Sequence, residues 1–258
     1  MMSLFHGPEK RLEIQLADHG SDLLSFDLKI WQGFVQAAGA QIIDTCHAPG
    51  ITSFLLSESS LFIWSKRLVL LTCGKTSPLP ALAHLLAEVD QQEVTFFRYE
   101  EKALAREHFC YPDFREILAP AATYFTDIEL ASQGKGDGDR IFHGQSGASK
   151  RAPCSQLLCH GLSAQAASFF SAPHKQGQQA MELVERASSH QHWFSPQGYS
   201  ENGIIADNYY ALHATPQGDR SYGGFETDLD LAEYPQLVDR LLSLFEPKRF
   251  TFFAAEKP

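Results

Sequence analysis

Apolar and polar residues alternate from Arg11 to Leu16, putting Leu12, Ile14 and Leu16 on one side, the period of a half-buried strand. The period then lengthens. Leu24, Leu28, Trp31 and Val35 recur at helical spacing over 23–38, which predicts an amphipathic helix stopped by Gly39. Strands are predicted at 41–45, 51–56, 60–64 and 68–72. Pro80 opens a helix to about residue 89, with Leu82, Leu85 and Leu86 on one face. A strand at 94–99, a short helix at 114–118 and a strand at 123–130 follow. Residues 133–138 and 144–155 are rich in Gly, Ser and Lys and read as loops around a strand at 140–143. Helices are predicted at 163–170 and 178–188, long β runs at 204–214 and 222–227, and a helix at 234–245 striped by Leu237, Leu241 and Phe245. A strand at 249–254 comes last. The order β-α-β-β-β-β-α-β, echoed in the second half, predicts an α+β fold: mostly antiparallel sheets carrying helices, in two similar halves.

Composition narrows the function. The net charge of −10 argues against nucleic-acid or anionic-membrane partners, which need basic patches, and suits a cationic small molecule. The sequence shows neither a basic-then-apolar leader nor an apolar run long enough to span a bilayer, so a cytoplasmic protein is expected. Cys46, Cys73, Cys110, Cys154 and Cys159 are odd in number and scattered, the pattern of unbridged thiols. Cys154, Cys159 and His160 lack a second paired cluster; they read as ordinary thiols and a loop histidine, and no metal is expected.

Three familiar motifs fail. Gly74-Lys75-Thr76 looks like the end of a phosphate loop, but the opening glycine position holds Val69 inside a strand. Gly198 to Gly203 has one residue too many for a hydrolase nucleophile elbow. Gly144 to Lys150 is too poor in glycine for a dinucleotide turn.

Four other stretches carry reactive groups beside strands. Ser57-Glu58-Ser59-Ser60 joins two apolar runs, where hairpins ordinarily use Asn-Gly or Asp-Gly. Taken alone it reads as a polar surface turn. Cys73 sits at a strand end, Ser200 in a glycine-flanked turn, and His213 near a strand end before Pro216. Singly these read as a buried thiol, a turn hydroxyl and a core histidine.

Together they resemble the eukaryotic-type S-adenosylmethionine decarboxylases. The matching pieces are FHGPEKRLE (Phe5 to Glu13), LSESSLF (Leu56 to Phe62), LTCGKT (Leu71 to Thr76), GYSENG (Gly198 to Gly203), and HATP with SYGGFET ending at Thr227. The resemblance spans nearly the whole chain and fades over 132–192.

That resemblance implies an αββα sandwich, two sheets face to face with helices outside. It implies a single domain over 1–258 that cleaves itself between Glu58 and Ser59 into a β chain (1–58) and an α chain (59–258). Ser59 becomes a covalent pyruvoyl group, an electron sink that takes the substrate amine as a Schiff base, as pyridoxal phosphate does elsewhere. His213 is the implied base in processing, assisted by Ser200. Cys73 is the implied proton donor in decarboxylation, and Glu9 an acid lining the site. Substrate-binding positions are Phe5 and Phe194, whose rings sandwich an adenine, together with Glu58 and Gln217. The family has glutamates where this chain has His6 and Gln217. The implied product feeds spermidine synthesis, and the family admits a homodimer of αβ units. Pyruvoyl chemistry on ornithine or arginine, and a silent regulatory partner, are the alternatives. Glu13 and Glu226 match acidic positions tied to putrescine activation in animal enzymes, but Leu71 replaces a basic member; strong activation is not expected.

Overall fold

The structure is a computed structural model and describes residues 9–57, 59–103, 113–134, 138–148, 154–171, 184–185 and 187–254. The chain divides into two compact units, residues 1–43 with 50–150, and residues 44–49 with 151–258.

The first unit opens with β1 (Lys10–Leu16), a short 3-10 turn and α1 (Leu28–Ala37). Four strands then run as a meander: β2 (Ile42–Ala48), whose residues from Asp44 on are counted with the second unit, β3 (Ile51–Leu56), β4 (Ser59–Trp64) and β5 (Arg67–Thr72). After α2 (Leu79–Leu85), β6 (Val94–Ala103) returns to the sheet on the far side of β1; helices α3 (Asp113–Ile117) and α4 (Ala119–Ala122) follow, and β7 (Glu129–Gln133) and β8 (Arg140–Gly147) extend the sheet. The spatial order is β2-β3-β4-β5-β1-β6-β8-β7. The second unit repeats the plan with β9 (Ser155–His160), α5 (Ala164–Phe170), the meander β10 (Ser188–Trp193), β11 (Tyr199–Ile205), β12 (Asn208–Thr215) and β13 (Tyr222–Thr227), then α6 (Pro235–Phe245) and β14 (Arg249–Phe253). Its order, β10-β11-β12-β13-β9-β14, matches β2-β3-β4-β5-β1-β6 strand for strand. The recorded strand pairs in both sheets are antiparallel, so the α+β expectation with two similar halves holds.

Each sheet turns an apolar face to its helices. Leu12, Ile14, Leu68, Leu70, Leu61 and Ile63 meet Trp31, Phe34 and Val35 of α1 and Leu82 and Leu85 of α2. Leu157, Tyr210, Leu212 and Phe225 meet Phe170 of α5 and Leu237, Leu241 and Phe245 of α6. Burial of these side chains is the main source of stability.

Several local expectations need correction. β1 is not half-buried: Arg11, Glu13 and Gln15 are as buried as the apolar face, because they satisfy one another and their neighbours in a charged network described below. The first helix starts only at Leu28. Leu28 is 50% exposed, and the buried stripe is Trp31, Phe34 and Val35, so the predicted face was rotated. Residues 119–122 are helical and the strand expected at 123–130 begins at Glu129. Gly144 to Gly147 continue β8, and Ser155 to His160 form β9, with β13 and β14 on either side; His160 is a strand residue, not a loop one. The run 204–214 is broken by Ala206, whose positive φ of 52° makes a turn between β11 and β12. The helix expected at 178–188 lies largely outside the described residues, and Ser188 begins a strand.

Candidate active site

In the first unit the candidate residues converge through strand register. Ser59 pairs with Thr72 on β5, and Cys73 is the next residue. Thr72 in turn pairs with Lys10 on β1, and Glu9 is the residue before it. Glu9, Ser59 and Cys73 therefore leave one end of three adjacent strands, although Glu9 is distant from both others in sequence. Ser59 is buried at 1% exposure. Glu58 lies outside the described residues, as do Phe5 and His6.

The turn before Ser59 is held from its upstream side. The Ser57 N–H donates to the Gln41 carbonyl at 2.8 Å, and the Ser57 hydroxyl accepts the Gln41 N–H at 3.1 Å. The equivalent junction in the second unit, Ala206-Asp207 between β11 and β12, is also two residues long. One half of the repeat thus carries Ala206, at positive φ, and Asp207 where the sequence of the other has Ser57 and Glu58.

Cys73 is half-buried and not in a disulfide. Its carbonyl accepts both the N–H (3.3 Å) and the hydroxyl (2.6 Å) of Thr76, closing a tight loop with Gly74 at φ 61°. Glu9 accepts from Lys102 Nζ at 2.6 Å, and the Lys102 N–H donates to the Glu9 carbonyl at 2.9 Å. Sequence reasoning missed this lysine, since only the β1–β6 pairing brings it to Glu9.

On the face of β1 away from Leu12, Ile14 and Leu16 lies a buried charged network. Glu13 accepts from Arg11 (2.5 Å), Arg67 (2.7 Å) and Gln15 (3.0 Å). Burial opposes its ionisation, but Arg67 and Arg11 outweigh that and hold its carboxyl far below the usual carboxylate range. Glu100, bound to Arg98 at 2.6 Å, is likewise penalised by burial yet lowered to about 2 by Arg98, Arg11 and His143.

In the second unit Ser200 on β11 pairs with His213 on β12. Ser200 is a strand residue, not a turn one as its flanking glycines suggest. On its other side Ser200 pairs with His192 of β10, which sequence reasoning did not single out; the alternation of His190 and His192 in HQHW was the available signal. The His192 ring meets Phe194 at 4.8 Å, edge to face. Phe194 donates its N–H to the Gly198 carbonyl at 2.8 Å. Gln217 follows β12, and its buried Oε1 has no hydrogen-bond partner among the described residues. Ser221, 2% exposed and in the same β12–β13 connection, likewise has no partner for its hydroxyl among the described residues.

Among the described residues no group of three or more His, Cys, Asp or Glu side chains is arranged to hold a metal ion. Nor, among them, is any helix long and apolar enough to cross a membrane.

Comparison with known proteins now adds to this geometry. The family model described as adenosylmethionine decarboxylase matches residues 2–129 and 154–258. The S-adenosylmethionine decarboxylase proenzyme of Leishmania donovani is 28% identical over 285 residues, covering 98% of this chain and 74% of the relative. The proenzyme of the same name from Xenopus laevis is 26% identical over 277 residues, covering 95% and 81%. The crystal structure of the Trypanosoma brucei AdoMetDC-delta26 monomer is similar in fold at a TM-score of 0.55 and 18% identity, over 74% of this chain and 78% of that one. With a family model matched over both of its halves, the chain belongs to the adenosylmethionine decarboxylase family.

Proposed function

We propose that the chain is a self-processing proenzyme which, once cleaved, decarboxylates S-adenosylmethionine. The observation that carries the reading is the convergence of Ser59, Cys73 and Glu9 at one end of β4, β5 and β1. The family's relatives bear the matching name.

In processing, the Ser59 hydroxyl attacks the carbonyl carbon of Glu58. The peptide C–N bond breaks, leaving an ester and an amine. Removal of the Ser59 α-proton then expels the Glu58 carboxylate, ending the chain 1–58. The dehydroalanine left on 59–258 takes up water and loses ammonia, giving a terminal ketone. The Ser57–Gln41 clamp fixes the upstream side of this bend, so attack needs little reorganisation. The roles of base and of assisting hydroxyl fall to His213 and Ser200, which stand opposite one another on β12 and β11.

The pyruvoyl group so formed supplies an electron sink for decarboxylation. Its fit here rests on the burial of Ser59 at 1%, which withholds a ketone from bulk water, and on the thiol one residue beyond Thr72. Cys73 holds the proton delivered after carbon dioxide leaves; a thiol suits the task because its proton is exchangeable near working pH. Glu9, with its charge shared by Lys102, helps to orient the substrate. Gln217 offers a buried, unpartnered carbonyl to a ligand hydroxyl, and Phe194 a ring face to a flat base.

Gel electrophoresis and intact mass of the purified chain test processing: two fragments, 1–58 and 59–258, are expected. Carbon dioxide release is then compared for S-adenosylmethionine, ornithine and arginine. Release from the first alone supports the reading, and release only from either of the others overturns it.

A further inference from the structure

Lys10 has no part in the chemistry above, yet it supports the segment that carries Cys73. Its ammonium donates to the carbonyl of Gly74 at 2.8 Å and to that of Thr76 at 2.8 Å. Thr76 closes the same loop from the other side, through its two bonds to the Cys73 carbonyl. The Thr72 hydroxyl adds a long contact to the Thr76 carbonyl at 3.5 Å. In the sheet Lys10 stands between Thr72 of β5 and Glu101 of β6. It is half-buried; burial works against its charge, while Glu101 and Cys73 favour it. Swinging away would leave two carbonyls without their donor in a partly dry environment, so the charge is fixed in place.

We propose that Lys10 is a positioning residue for Cys73: it holds the 73–76 loop by two carbonyls and keeps a fixed positive charge near the sulfur. Its effect on turnover rests on the reading of Cys73 as proton donor; its effect on the thiol does not. If the chain is cut before Ser59, Lys10 belongs to the short chain and Cys73 to the long one, and this clamp spans the break.

Other charged groups surround the loop. Glu101 accepts the Tyr99 hydroxyl at 3.1 Å, Glu9 is paired with Lys102, and Lys75 lies within the loop itself. All stay in place in the variants below, so a change is assignable to Lys10.

The test is iodoacetamide alkylation of the full-length protein across pH, followed by peptide mapping, for wild type, Lys10→Gln and Lys10→Arg. In Lys10→Gln the alkylation midpoint of Cys73 moves to higher pH by about one unit, while Lys10→Arg stays close to wild type. The Cys46 profile is the internal control and does not move. Turnover of Lys10→Gln falls about tenfold with KM little changed. A Cys73 profile in folded Lys10→Gln that superimposes on wild type overturns the proposal. Should Lys10→Gln not fold, salt decides on the wild type. Screening raises the Cys73 midpoint but lowers that of Cys46, which burial and then Asp44 push up and of which only the Asp44 part is screened. A Cys73 midpoint that does not rise overturns the proposal. Alkylation can be read on uncut Ser59→Ala protein, so this result and the decarboxylase reading can fail separately.

Discussion

Ser200 lies directly opposite His213 across the β11–β12 pair, with one row of the sheet placing a hydroxyl and an imidazole side by side. Facing residues of an antiparallel pair share a side and have neighbouring Cβ atoms. The arrangement suits a base and an assisting hydroxyl acting at one step.

The first prediction separates the two halves of processing. Ser59→Ala removes the nucleophile and leaves a single uncut chain on a denaturing gel. His213→Ala leaves the nucleophile in place but slows loss of the Ser59 α-proton. That variant should accumulate the ester, which hydroxylamine cleaves to fragments of the sizes expected for 1–58 and 59–258. A His213→Ala protein processed at the wild-type rate removes His213 from the mechanism.

Cys73→Ala should behave differently from both. Cys73 follows β5, and its side chain is not needed for the Ser59–Thr72 pairing that shapes the bend. The variant therefore cleaves normally by gel. Its kcat for carbon dioxide release falls by about a hundredfold or more, since a positioned proton donor is worth that much. Failure to cleave would mean that the thiol acts earlier than proposed.

Much of the first unit's candidate geometry is legible in the sequence, and the reason is local. Hairpin register follows from short turns, so the apolar runs on either side of Ser57-Glu58 already implied β3 and β4. The antiparallel return through β5 then brought Cys73 near Ser59. What escaped was set by distant pairing. β9 reads as the end of a polar loop because Gly, Ser and Lys precede it, and only its neighbours β13 and β14 make it a strand. Ser200 sits among glycines that favour a turn, but β10 and β12 pair with it on both sides. Arg11, Glu13 and Gln15 look like a solvated face, and become a buried one because Arg67 and Arg98 arrive from other strands.

That network carries the next prediction. Glu13 is occupied by Arg11, Arg67 and Gln15, so it has no anionic capacity left for a diamine. Glu226 accepts the Tyr209 hydroxyl at 2.8 Å. Putrescine should change turnover by less than about twofold, as expected for buried charges already paired. Removing one arginine is a different matter. Arg67→Leu leaves Glu13 buried with half of its cationic compensation, at a cost of roughly 3 kcal/mol in denaturant unfolding. The sign with pH follows from the depressed carboxyls. Their stabilisation is full above the ordinary carboxylate range and is lost as pH falls through the folded-state values, which for Glu100 means about 2. Wild type should resist acid well below the point where Arg67→Leu unfolds.

Glu201 carries the opposite sign. It is fully buried in β11, and its carboxyl meets the hydroxyls of Tyr199 at 2.5 Å and Tyr210 at 2.6 Å. The Tyr199 hydroxyl also reaches the side-chain Oε1 of Gln191 at 2.7 Å. Tyr210 can reach Glu201 because it pairs with Gly203: an alanine Cβ there would stand 1.9 Å from the ring. No lysine, arginine or histidine pairs with Glu201 among the described residues, so burial dominates and raises its carboxyl, with the two tyrosine hydrogen bonds pulling the other way without cancelling it. A group whose folded-state proton affinity is raised gives its full stability below the unfolded carboxylate range and loses it as pH rises through the folded value. Glu201→Gln presents an NH2 donor group and a carbonyl acceptor in nearly the same shape and has no titrating proton to lose. Its melting temperature should match wild type at about pH 4.5 and exceed it by about 2–4 °C at about pH 8. Thermal melts followed by circular dichroism across that range read the difference directly. A gap that stays constant with pH would mean that Glu201 is ionised in the folded protein, despite having only hydroxyls for company.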